Sequence, residues 1–253
     1  MKISDALLLL AAGTAGGIFS TVVSVASLVT YPVLLALGVP PLSANMTNTV
    51  SLVLTGAGSV AGSRPELAGQ GQRVLRLGAI TALGGAAGAA VLLTAPPGSF
   101  TLVVPVLIAG ASVVLLVQPA IRKRAEAPSG EPAEPSLARR AALFAVAMYV
   151  GYFGAAAGIM LLVVLSGMVS EPLVRVNAIK NAVSGMANAM AAVCFALFGE
   201  VRWKFVVPLA AGFLIGGWIG PAIARRVPAG AFRVVVSVCG LGLAAKLGLS
   251  AYR

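Results

Sequence analysis

One lysine in this chain stands where lysines are rare. Lys180 lies inside the apolar stretch PLVRVNAIKNAVSGMANAMAAVCFALF, in the company of Asn177, Asn181, Ser184 and Asn188. At helical spacing the three Asn residues and the Ser form one polar stripe, with Lys180 at its edge. Ammonium, amide and hydroxyl groups all donate hydrogen bonds, so such a stripe can hold an anion. An ionisable side chain within a membrane segment costs about 2.5–3.5 kcal/mol on insertion scales, which makes it a functional candidate that faces protein or water. The competing reading is that Lys180 snorkels to the headgroups while the amides bind helices together.

An earlier stretch is polar in the same way. PPLSANMTNTVSLVLTG carries Asn45, Thr47, Asn48 and Ser51, and Thr47 aligns with Lys180. The two stripes predict a substrate-binding set of Asn45, Thr47, Asn48, Ser51, Asn177, Lys180, Asn181 and Ser184. Upstream of each stripe is a glycine-rich run: GTAGGIFS, with Gly13, Gly16 and Gly17, and GYFGAAAG, with Gly151, Gly154 and Gly158. These are expected to break their helices and free backbone N–H groups for an anion. The alternative is that they are small-residue contacts between helices.

Other chemistries lack their residues. The chain has no His, so it offers no Ser-His-Asp triad and no imidazole metal site. It has no GxxxxGK[ST] phosphate loop, and its only Asp is Asp5, which excludes paired aspartates. The expectation is a protein that is not an enzyme and has neither cofactor nor metal. Glu66, Glu171 and Glu200 fall at segment ends. Coupling to a proton would therefore use Lys180 or an end-lying acid such as Glu171, or the protein is a facilitator. Cys194 and Cys239 lie in separate apolar segments and are read as small buried hydrophobes.

The elements that must position these residues are helices in a bilayer. The chain is 59% hydrophobic and 10% charged, with a mean hydropathy of +0.99, whereas a soluble domain carries about 25% charged residues. Its net charge of +11 sits in short clusters between apolar runs, as the positive-inside bias requires, and not on one face that would bind nucleic acid. Apolar runs lie near residues 5–37, 42–62, 74–95 and 101–121, and again near 141–169, 173–198, 203–224 and 231–250. The first run is read as retained structure and not as a cleaved leader.

Residues 1–121 and 141–253 are read as two related transmembrane halves joined by a cytoplasmic linker, 122–140, rich in Pro and charge. GGAAGAAVLLTAPPGSFTLVV from Gly84 aligns without gaps on GGWIGPAIARRVPAGAFRVVV from Gly216, and NTVSL on NAVSG pairs Asn48 with Asn181. The expected fold is an all-α integral membrane protein of two homologous four-segment repeats, about eight segments in all. The first segment of each repeat is too long for one straight span and is expected to be broken or re-entrant. Positive charge favours the linker inside under either a parallel or an inverted arrangement of the repeats, with the inverted one preferred.

The glycine-rich run followed by Pro in GTAGGIFSTVVSVASLVTYPVLLALGVPP, then ANMTNTVSL, AIKNAVSG and GGWIGPAIARRVP, resembles the TauE/SafE family of sulfite and organosulfonate permeases over almost the whole chain. GTAGGIFS has fewer consecutive glycines than is usual there. The resemblance implies a carrier in the inner membrane of a bacterium, moving sulfite, sulfoacetate or a related anion, often outward. Its partners would be the lipid bilayer and a small anion, with a homodimer left open and no nucleic acid. A carrier of a different small solute and a non-transporting scaffold subunit are the alternatives.

Overall fold

The computed structural model describes residues 2–96, 98–126, 136–224, 226 and 230–251. Among them the chain is helical and holds no strand. The helices are α1 (Ile3–Val23), α2 (Ala26–Ala36), α3 (Pro41–Gly62), the short α4 (Arg64–Leu67), α5 (Gly71–Thr94) and α6 (Ser99–Glu126), followed by α7 (Leu137–Tyr152), α8 (Ala157–Ser166), α9 (Leu173–Phe198), α10 (Trp203–Ala224) and α11 (Gly230–Ala251). Residues 127–135 of the expected linker lie outside the described residues; α6 enters that linker and α7 begins within it.

Five stretches are long and apolar enough to cross a bilayer: Ile3–Val23, Gly71–Thr94, Ser99–Ala120, Leu173–Phe198 and Trp203–Ala224. The 21 residues of α1 extend about 31 Å, close to the ~30 Å hydrocarbon core. Leu75, Leu83, Val106, Leu197, Val207 and Trp218 project outward from these helices. A surface so apolar suits lipid and would aggregate in water. Cys194 is partly buried and packs against the core; Cys239 is exposed, which corrects the expectation that both are buried.

The chain interrupts its first long segment at Ser24–Val25, between α1 and α2. Gly13, Gly16 and Gly17, expected to form that break, instead lie within the continuous α1. Their missing side chains let α1 approach the backbone of α10: a Cβ on Gly17 would sit 2.7 Å from the Gly217 amide nitrogen and 2.9 Å from the Gly216 Cα. Close helix contact explains these glycines. The interruption follows the β-branched run Thr21, Val22, Val23, where helix propensity is low, and Ser24 closes α1 in the left-handed conformation at φ 63°.

The second long segment is interrupted between α7 and α8, at residues 153–156. Here the glycine signal points to the right place in one case of three. Gly154 takes φ +72°, a conformation that glycine adopts freely. Gly151 is in the last turn of α7 against Gly85 of α5, and Gly158 is in the first turn of α8 against Ser24. Ala156 precedes α8 with φ 56°.

Packing runs between distant parts of the chain. α1 lies on α10, which also packs on α3, while α7 lies on α5, which also packs on α9. α3 and α9 cross where Gly56 meets Gly185, and α6 packs on α11. Tyr31 of α2 meets Phe153 edge to face at 5.7 Å, so the first half-length helix rests on the second interruption. At one end of the bundle Glu171, just before α9, accepts from Gln70 Nε2 at 2.8 Å and Arg175 at 3.1 Å, and pairs with Arg73 at 3.3 Å. These three donors hold its carboxyl below the ordinary carboxylate value, the Gln70 hydrogen bond most of all.

Candidate functional site

Both interruptions open on one cavity. Ser24, Ala26 and Ser27 reach it from the first, Gly154, Ala157 and Gly158 from the second, Thr55 and Ser59 from α3, and Lys180, Asn181, Ser184 and Asn188 from α9. It leaves about 50 Å³ for the centres of water-sized molecules. A single water needs roughly 10–15 Å³ by that measure, so the space suits a few waters or one small oxyanion.

Lys180 is 2% exposed. Its ammonium donates to Ser24 Oγ at 2.6 Å, and no carboxylate pairs with it among the described residues. Lys180 is also the one ionisable side chain on the cavity wall among the described residues. The amide nitrogen of Asn181 and the hydroxyl of Thr55 are buried without a protein partner among the described residues. Buried polar groups in folded proteins are nearly always satisfied, so unpartnered donors at a cavity mark where a ligand's acceptors belong.

The backbone adds to this. α2 starts with Ala26 and Ser27 and α8 with Ala157 and Gly158, and all four residues line the cavity. The amides of Ala26, Ser27 and Gly158 find no backbone carbonyl among the described residues. Free amides at the start of a helix, with the positive end of its dipole, favour negative charge. Two such ends and an ammonium converge on the same space.

The residues expected from sequence divide between the wall and its support. Lys180, Asn181 and Ser184 line the cavity; Asn45, Thr47, Asn48, Ser51 and Asn177 do not. Asn48 is consumed inside the protein: its Oδ1 accepts from Thr30 Oγ1 at 2.6 Å and its Nδ2 donates to Ser27 Oγ at 3.1 Å. Asn45 donates to the Tyr152 carbonyl at 2.9 Å, at the second interruption. Asn177 donates to the Thr21 carbonyl at 3.3 Å, beside the first. Thr47 accepts from the Arg202 amide at 3.0 Å, and the Thr47 carbonyl accepts from Ser51 Oγ at 2.8 Å. The first stripe is thus engaged within the protein, whereas Lys180, Asn181, Ser184 and Asn188 of the second line the cavity.

Sequence reasoning passed over Ser24, Ser27 and Thr55. A signal existed in the spacing of hydroxyl residues through FSTVVSVAS, where Ser20, Ser24 and Ser27 recur at helical intervals.

Fold and site together define a multi-pass helical membrane protein with a polar cavity between interrupted helices. The family model for the sulfite exporter TauE/SafE matches residues 9–247. The chain belongs to that family of membrane transporters. No curated protein and no solved structure matches it significantly.

Proposed function

We propose that this chain is a secondary carrier or facilitator for a small sulfur oxyanion, sulfite, sulfoacetate or a close relative, exported across the inner membrane of a bacterium. The observation that carries this reading is the convergence on one cavity of a buried ammonium without a counter-ion and two helix starts with free amides. Discontinuous helices whose half-helix N-termini point at an anionic group recur in secondary transporters. Lys180 supplies charge, and Asn181, Thr55 and Ser184 supply donors around the oxyanion. Asn48, Asn45 and Asn177 hold the interrupted segments in register.

The same reading treats the chain as two repeats with exchanged partners. Gly84 and Gly88 of α5 face α7 where Gly216 and Gly220 of α10 face α1; Gly85 faces α9 where Gly217 faces α3. This supports the alignment of Gly84 with Gly216 and the duplication behind it. In a duplicated carrier the site lies between the repeats, and the cavity draws its walls from both.

Uptake of labelled sulfite and sulfoacetate into proteoliposomes tests the proposal. Flux through the wild-type protein and its loss in Lys180→Ala is the expected result. Unchanged flux in that variant removes Lys180 from the mechanism, and no flux of either anion rejects the carrier reading.

A further inference from the structure

The cavity holds a means of coupling as well as a means of binding. Resting on the carrier reading, we infer that Lys180 is the proton-carrying group: it takes up one proton with each monovalent anion and gives up both together, so that proton and anion move as a neutral pair, outward whenever the anion's own outward gradient exceeds the inward proton gradient.

The argument starts from what surrounds Lys180. Its neighbour at the first interruption is Ser24, a neutral hydroxyl. α3 and α8 carry no ionisable side chain. α5 brings Arg73 and Arg76, and α7 brings Arg139, Arg140, Tyr149 and Tyr152. α4 brings Arg64 and Glu66, and α9 itself brings Arg175 and Cys194. Glu171, beside the start of α9, is engaged by Gln70, Arg73 and Arg175. Tyr149 donates its hydroxyl to the Ala155 carbonyl. None of the groups on these elements forms an ion pair with Lys180 among the described residues.

An ammonium in such surroundings lacks the counter-charge that makes burial tolerable. A bound oxyanion supplies it. Proton and anion therefore favour each other's binding, and linkage makes the effect reciprocal. The converse holds on release: an anion leaving to water strips Lys180 of its partner, and the proton follows. Charge balances at each step, since a neutral amine plus a proton and a monovalent anion gives a neutral occupied site. No other ionisable residue on the cavity wall among the described residues can carry out this exchange.

The probe is methanesulfonate, whose charge does not change with pH, so any proton that moves belongs to the protein. In proteoliposomes clamped at zero membrane potential, an outside more acidic by one pH unit should concentrate labelled methanesulfonate inside about tenfold, the ratio one-to-one movement of proton and anion together requires. Lys180→Arg, whose guanidinium stays charged, should show no gradient-driven accumulation. In weakly buffered detergent solution above neutral pH, the wild-type protein should take up about one proton per methanesulfonate bound, and this reading does not depend on whether any variant folds. Equilibration without accumulation, accumulation by Lys180→Arg at the wild-type level, or binding without proton uptake would each overturn the inference while leaving the carrier reading intact. If neither methanesulfonate nor sulfite binds or moves, both fall.

Discussion

Replacing Lys180 with Met separates the two roles a buried lysine can have. Met is unbranched and fills irregular space well, so the substitution removes charge and donors with little change in shape. In the occupied site the ammonium makes at least one charged hydrogen bond to the oxyanion, worth about 1.5–3 kcal/mol. At 1.4 kcal/mol per decade, anion affinity should fall about 10- to 150-fold. In the empty protein the balance is different. The hydrogen bond to Ser24 at 2.6 Å is lost, but so is a polar group whose insertion costs about 2.5–3.5 kcal/mol when charged. The variant should therefore be as stable as the wild type or more so, by up to about 2 kcal/mol. Thermal unfolding of the purified protein in detergent, with and without a series of sulfite concentrations, reads both quantities. A variant that keeps its affinity within threefold refutes the placement of Lys180 at the anion. One that is destabilised by more than about 1 kcal/mol makes Lys180 a structural bridge to the first interruption.

Three further outcomes follow from the geometry. Ser24→Ala and Ser24→Gly both remove the acceptor for Lys180, but only Gly relieves the left-handed backbone at φ 63°, so thermal melts should rank Gly above Ala by about 1 kcal/mol. Gly17→Ala places a Cβ against α10 backbone at 2.7–2.9 Å and should cost about 1–3 kcal/mol by overpacking, while Gly110→Ala, with nothing within 4 Å, should be neutral or slightly stabilising in the same melts. Glu171 has its carboxyl depressed from 4.5, first by Gln70 and then by Arg175 and Arg73; the stability it contributes is present above pH 4.5 and drains as pH falls through its lowered value. Glu171→Gln should accordingly lower the neutral region of a stability–pH profile and flatten its acid limb, leaving the most acidic points nearly unchanged.

Polarity against an apolar background was easy to read, and it led directly to Lys180 and Asn181. What such a pattern leaves out is where each polar group spends its hydrogen bonds. NTVSL and NAVSG align Asn48 with Asn181 in sequence, yet Asn48 is taken up by Thr30 and Ser27 while the Asn181 amide nitrogen has no protein partner among the described residues. That difference depends on α2 folding back beside α3, a tertiary fact. Glycine was a weaker guide. The same absent side chain permits a left-handed turn at Gly154 and a backbone contact at Gly17, and composition cannot separate the two uses. Ser24 was missed because it breaks a helix without Gly or Pro, relying on a β-branched run and on the neighbours that hold it.

The pairing of α1 with α10 bears on how the protein is made. α1 leaves the ribosome well before its partner α10, which begins only at Trp203, roughly 180 residues later. At synthesis rates of about 5–20 residues per second, that delay is on the order of 10–40 s. During it, Gly13, Gly16 and Gly17 offer a narrow, weakly packing surface to whatever lies beside the insertion machinery. α1 therefore waits as an unfinished contact until α10 is made, and a chain arrested before Trp203 leaves that glycine face without its partner.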